Sequence, residues 1–297
     1  MFEIENFNDP TVYAIPLFIF LIVLEFIIDI RRKLKLYEIK DSVACITMGL
    51  GSLGIGIFTK AFMFFLYMYL YQFRIFDIPN VWWMWVLLLF ADDFSFYWKH
   101  RLSHEVRILW AGHVQHHSSE KMNFSVALRQ SWGEPFFEFI FWIWLPLIGF
   151  HPLNILIMMG ISLIFQFLLH TKIVGKLGFL EYVFNTPSHH RVHHATQVKY
   201  LDRNHAGIFI IWDKLFGTFS EEEEEPVYGI TTNIHTYNPL KIATHEYVSL
   251  WKDVRRAKKF SDKLKYIFYP PGWSHDGEIC TSNKLRQELA KEGRGDR

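Results

Sequence analysis

Between His100 and His117 the chain reads HRLSHEVRILWAGHVQHH, and five of these eighteen residues are histidine: His100, His104, His113, His116 and His117. The first two stand i, i+4 apart and the last three i, i+3, i+4. On helices, each set therefore projects from one face. Much later, His190, His193 and His194 repeat the H-x-x-H-H spacing, with His189 just before them. Histidine is a mediocre helix former and costs free energy to bury without a partner. Folding alone does not ask for such a pattern. A fold that satisfies it must bring distant segments together, with the imidazoles converging on metal. There are too many of them for one ion.

Composition narrows the setting. The chain has 297 residues, 51% hydrophobic and 18% aromatic, with 29 Phe, 11 Trp and 13 Tyr. That aromatic load suits a membrane protein, where Trp and Tyr gather at the water–lipid boundary. The net charge of +1 offers no electrostatic case for a nucleic-acid partner. Cys45 lies in an apolar run and Cys280 in a polar one; both read as free thiols, so no cysteine-based metal site is available. Of the 15 histidines, 11 fall within 100–117 and 170–205, which is not how surface filler is distributed.

The apolar runs predict an all-α polytopic membrane protein with four to five transmembrane helices. Val12–Ile30 is long enough to span. It lacks a basic start and a cleavage site, so it reads as an anchor, not a removed signal. Arg31, Arg32, Lys33 and Lys35 follow, which puts this end in the cytoplasm. Val43–Phe73 reads as one tilted span, Gly-rich in its first half, unless Lys60 marks a hairpin tip. Val81–Trp98 reads as the next span and runs into His100. Residues 118–132 are expected to form an interfacial amphipathic helix. The stretch Glu134–Thr171, broken by GFHPL, reads as a hairpin of two spans that delivers His170 to the same side. Parity then places every histidine group just past a cytoplasmic span end, in a helical cap. Residues 206–219 are too short to span and read as interfacial or re-entrant. Glu221–Glu225 is expected to be a solvated loop. Residues 1–235 are read as the membrane-embedded domain and 236–297 as a polar C-terminal tail, cytoplasmic or peripheral.

Neutral imidazole suits Fe, Zn and Cu. Nine histidines, in the three boxes and at His170, suffice for two ions. Two metals, nitrogen ligation and a lipid-facing position together suggest dioxygen activation and oxidation of an unactivated lipid C–H bond. Ferritin-type proteins do such chemistry with E-x-x-H motifs on a helical bundle, and no such pair occurs here.

These residues carry a resemblance. H100-R-x-x-H104, H113-x-x-H-H117 and H190-x-x-H-H194 resemble the histidine boxes of the fatty acid hydroxylase/sterol desaturase superfamily. WAGHVQHHSSE, NFSVALRQS, TPSHHRVHH and IIWDKLFGTF resemble its ether-lipid branch, over about 90–235. The resemblance implies a membrane protein with a nonhaem diiron centre that hydroxylates or desaturates lipid with O2. For the ether-lipid branch it further implies tetrahydrobiopterin as reductant and hydroxylation of the carbon next to the ether oxygen. The hemiacetal formed would collapse to an aldehyde and glycerol. Two departures are expected to matter: the further apolar spans of that branch do not follow the last box, and His205 stands in DRNHAG in place of an aromatic. Beside the ether-lipid reading, which the motifs favour, they leave open a shorter relative with another lipid and another electron donor.

The expected metal ligands are His100, His104, His113, His116, His117, His170, His190, His193, His194 and His205. His151, His235, His245 and His275 read as ordinary. Asp92 and Asp93 lie in an apolar span, where a carboxylate is costly. Asp93 shares a helical stripe with His100 and His104 and is expected to accept a hydrogen bond from a ligating imidazole. Glu105 is expected to orient the first box or to ligate. A sterol or fatty acid hydroxylase or desaturase with a cytochrome b5- or ferredoxin-type donor is the rival enzyme reading. A metal transporter or metal-binding membrane protein is the rival of another class.

Overall fold

Two helices set the frame in the computed structural model, which describes residues 10–295. The first, α1 (Pro10–Arg32), has a mean hydropathy of 2.5 over its apolar window, and only 11% of that window is buried. The second, α2 (Ile39–Tyr71), has a mean hydropathy of 1.6 with 22% buried. A core helix would hide its apolar residues; these two present theirs outward, as lipid requires. At about 1.5 Å per residue, α2 is roughly 50 Å long, against about 30 Å of bilayer hydrocarbon. Lys60 lies within this unbroken helix, so Val43–Phe73 is not a hairpin. The glycines of its first half admit a loop: a Cβ on Gly49 would stand 2.7 Å from the Leu128 carbonyl oxygen, and one on Gly51 2.5 Å from the Trp132 ring.

By length and apolarity only α1 and α2, among the described residues, qualify as candidate spans. Next comes α3 (Trp82–Glu105), unbroken from the Trp pair through His104. One face of its first half is core, where Met84 and Leu88 pack with Met63, Tyr67, Trp142 and Leu145, while Trp82, Val86, Leu87 and Phe90 stay exposed. The first arm of the expected 134–171 hairpin is no regular span. Around Pro135 and Pro146 it breaks into 3-10 turns over Glu134–Phe136 and Glu138–Trp142 and the short α5 (Trp144–Ile148). Gly149, at φ 131°, turns the chain into α6 (Pro152–Phe167). His151 caps α6 by accepting from Leu153 N, with Pro152 in the first turn.

One residue aims the histidines. Val106 is extended (φ −122°, ψ 117°) between α3 and α4 (Arg107–His117), so the second helix folds back along the first. Arg107 clamps this turn. Its backbone N–H donates to the Tyr269 carbonyl, and its guanidinium pairs with Glu246 (2.8 Å) and Asp253 (2.8 Å). Residues 118–132 do not form the expected amphipathic helix; they make turns and one 3-10 turn, Val126–Leu128, mostly buried. The reason is polar. Arg129, 1% exposed, donates to Asp41 Oδ1 (2.5 Å), Ser118 Oγ (2.8 Å) and Cys45 Sγ (3.3 Å), pinning this segment to the start of α2.

The third box is α7 (Pro187–His193), opened by Pro187 in the first turn. Arg191 makes a bidentate pair with Glu222 (2.7 and 2.6 Å) and donates to the carbonyls of Thr171 and Val174. Glu222 is therefore not the solvated residue expected, and Glu223, Glu224 and Glu225 pair with Lys199 and Lys172. Residues 206–219 contain α8 (Ile211–Phe216), and Ala206, Ile208, Phe209, Ile210 and Asp213 are buried in the protein. Beyond 235 the chain forms α9 (Pro239–Arg256), α10 (Phe260–Phe268) and α11 (Ser282–Gly295). Through Arg107, α9 is joined to the turn that carries the first two boxes.

Candidate metal centre

Nine imidazoles meet in two adjoining groups. His100, His104, His113, His117 and His193 have one ring nitrogen each within 4.8 Å of one another; so have His116, His170, His190 and His194. All nine are buried. The two H-x-x-H-H boxes exchange members. His113 and His117 belong to the first group and His116 to the second; His190 and His194 belong to the second and His193 to the first. Helix geometry permits this, since i and i+4 share a stripe while i+3 sits to its side, and the packing of the two box helices decides which group each side meets. The groups touch: the rings of His117 and His194 stack at 4.4 Å.

In one contact of each group, His116–His170 and His100–His113, both rings have Nδ1 on an acceptor, so the two facing Nε2 atoms have no proton to share. In the second group, His116 Nε2 lies 3.1 Å from His170 Nε2, which lies 2.9 Å from His190 Nε2, itself 3.1 Å from His194 Nε2. In the first, His113 Nε2 lies 3.0 Å from His100 Nε2 and 3.1 Å from His117 Nε2. The Nδ1–H groups point outward to acceptors: His116 to the Arg129 carbonyl (3.3 Å), His170 to that of Gln166 (2.9 Å), His193 to that of Arg203 (2.9 Å) and His100 to that of His205 (2.8 Å). A carbonyl only accepts, so the proton of each neutral ring resides on Nδ1 and Nε2 carries a bare lone pair. Lone pairs facing one another at 3 Å need a cation between them. Two nitrogens at right angles, each about 2.1 Å from one ion, stand about 3.0 Å apart. The Nε2 atoms of His104 and His193 are likewise buried without a partner. The donor set thus fits metal.

The electrostatics agree. Burial pushes His113 and His170 down to about 4, and His100, His116, His117, His190, His193 and His194 well below the usual histidine range, leaving neutral rings ready to ligate. Two carboxylates support the first group. Glu134 Oε2 accepts from His113 Nδ1–H (3.4 Å), and Asp202 Oδ1 from His104 Nδ1–H (3.3 Å). Burial pushes Glu134 up, but Lys99 and His113 outweigh it and hold the carboxyl well below the ordinary range.

Three expected site residues lie outside both groups. Asp93 touches no imidazole. Its oxygens accept from Ile208 N (2.6 Å), Phe209 N (2.9 Å) and Trp212 Nε1 (2.9 Å), and a Cβ on Gly207 would stand 2.7 Å from Oδ1. Asp213 holds His205 N and Ala206 N (2.8 Å each). Residues 205–212 are thus strung between two buried carboxylates, and this fixes the His205 carbonyl where His100 meets it. His205 lies beside the first group but outside the five that share 4.8 Å: its ring stands 5.0 Å from that of His104 with both nitrogens buried and unpartnered, and its backbone carbonyl accepts from His100. Glu105 faces away and pairs with Arg101 (2.9 Å) at a side-chain exposure of 37%. His189 lies outside both groups, against Phe219. Glu134 and Asp202 were missed because nothing in their spacing ties them to a box.

Fold and site together define a helical protein with candidate membrane spans and two adjoining all-histidine groups suited to metal. Residues 85–218 match the model of the fatty acid hydroxylase family. It is 39% identical over 276 residues to the alkylglycerol monooxygenase of Homo sapiens, covering 91% of this chain and 61% of the relative. Identity to the alkylglycerol monooxygenase of Caenorhabditis elegans is 38% over 270 residues, 84% of this chain and 52% of the relative. The ornithine lipid hydroxylase of Rhizobium tropici is 32% identical over 136 residues, 45% of this chain and 41% of that one. The chain thus spans about three fifths of its human relative. No solved structure matches significantly.

Proposed function

We propose that this chain is a membrane diiron oxygenase that hydroxylates a lipid C–H bond with O2, with an ether lipid of the alkylglycerol type as substrate. The observation that carries the reading is the pair of adjoining groups of buried imidazoles, nine rings in all. When bound there, two iron ions supply activation of dioxygen. The chain's residues do the rest. The carbonyls of Arg129, Gln166, Arg203 and His205 hold four rings in the Nδ1–H tautomer. Glu134 and Asp202 add negative charge behind His113 and His104, raising their donor strength. Burial of all nine rings keeps bulk water from the reacting atoms. The balanced reaction takes R–H, O2, two electrons and two protons to R–OH and water. Hydroxylation next to an ether oxygen gives a hemiacetal, which collapses to an aldehyde and glycerol. Tetrahydrobiopterin is the reductant proposed, by the likeness to the alkylglycerol monooxygenases.

In this reading α3 and the 134–167 segment enter the bilayer behind α1 and α2 to complete four to five crossings. The basic run Arg31–Lys35 at the end of α1 supports a histidine cap on the cytoplasmic side, at the inner membrane or endoplasmic reticulum. Residues 1–235 form the oxygenase domain and 236–297 the C-terminal extension. Turnover of the other lipids named for its relatives is the alternative within the same chemistry. Assays on alkylglycerol, fatty acid and sterol, after metal analysis of anaerobically purified protein, test the proposal. Two irons per chain without turnover of any lipid would keep the site and sink the substrate.

A further inference from the structure

Residues 239–268 leave a surface that neither the metal centre nor the spans use. On α9 the exposed residues Leu240, Thr244, Val248 and Trp251 lie within an arc of one face, opposite Ile242, Ala243 and Leu250, which are buried. On α10, Phe260, Leu264 and Phe268 repeat the pattern, at 73%, 40% and 58% exposure. This segment carries eight Lys and Arg against three Asp and Glu. Glu246 and Asp253 are turned inward onto Arg107, and Asp262 faces Lys265. The exposed charged residues of this segment are cationic, among them Lys241, Lys252, Arg255, Lys258 and Lys259.

The level of the segment is fixed by its packing. Ile242 and Ala243 pack against Ala44 and Met48, within the first three turns of α2, and Tyr237 donates to Glu38 just before that helix. The first turns of α9 therefore lie against the end of a candidate span. An amphipathic helix with a basic rim at that position matches an anionic bilayer surface in both charge and polarity. We propose that α9 and α10 lie on the membrane that holds α1 and α2, with their apolar stripes among the acyl chains and their cations on anionic lipid headgroups.

Spin labels test this on the full chain, in a Cys280→Ser background that leaves only buried Cys45. Val248→Cys and Leu264→Cys carry the labels, and Gln287→Cys on α11 is the water-exposed reference. Iron content checks that each labelled protein is folded. In nanodiscs of phosphatidylcholine with phosphatidylglycerol, labels 248 and 264 are expected to be several-fold more accessible to O2 relative to a water-soluble nickel chelate than label 287. Lys252→Glu with Lys258→Glu is expected to shrink that difference. Labels 248 and 264 matching label 287 in these discs would overturn the proposal. So would strong dipolar coupling between labels on two chains, which would show that a second copy covers the face.

Discussion

The two histidine groups are built from the same box but supported differently. The first has five imidazoles, with ionisable carboxylates behind two of them, Glu134 behind His113 and Asp202 behind His104. The second has four, and the supports seen there, at His116 and His170, are backbone carbonyls. A carboxylate behind an imidazole raises its basicity more than a carbonyl does. The difference teaches that equal spacing in sequence does not make equal sites, because the outer partners come from elsewhere in the chain. The first group should hold its ion more tightly.

Loss of a ligand is the largest effect. His113→Ala or His193→Ala is expected to abolish lipid oxidation and to remove the ion of the first group, leaving the second occupied. Unchanged iron in both variants, by elemental analysis, would remove the ligand assignment. Acidification of the metal-free protein comes next. His113 and His170 have folded values near 4, below the ordinary histidine value, so the unfolded chain binds protons first. Stability is therefore full above about pH 6.5 and is lost as pH falls from there toward 4. With metal bound, this loss should shift to lower pH, since protons must then displace the ion. Thermal unfolding of both forms from pH 7 to 4 checks it, and parallel curves would contradict it.

The carboxylates sharpen the comparison. Glu134→Gln and Asp202→Asn should each weaken the first group by about 10–100-fold, leaving the second unchanged. Chelator competition reads this out, and equal loss from both groups would break the distinction. Asp93→Asn acts through backbone, since its carboxylate collects three N–H donors. It should lower stability by about 2 kcal/mol in denaturant unfolding. Glu105→Gln is expected to do least, within about 0.5 kcal/mol, because it removes a half-exposed i, i+4 pair with Arg101. A large loss of metal in that variant would return Glu105 to the centre.

How much was legible follows from what each signal encodes. Helical spacing reports which side chains share a stripe, so His100, His104 and the two H-x-x-H-H boxes could be grouped from the chain alone. That the middle residue of each box crosses to the other group needs both helices in space. The carbonyls of Arg129, Gln166, Arg203 and His205 are invisible in a sequence, because every residue has one. Asp93 shares a stripe with His100, which suggested contact, but the three N–H donors of residues 208, 209 and 212 claim its oxygens. Hydropathy found α1 and α2 because they face outward. It overstated the 134–148 segment, whose prolines at 135 and 146 break the helix into turns.

The most direct test is a count of iron in anaerobically purified chain, with X-ray absorption to report the ligands. Two irons per chain, each held mainly by histidine nitrogen, is the predicted result. A single zinc closed by four imidazoles, with the remaining rings unmetallated, would contradict it.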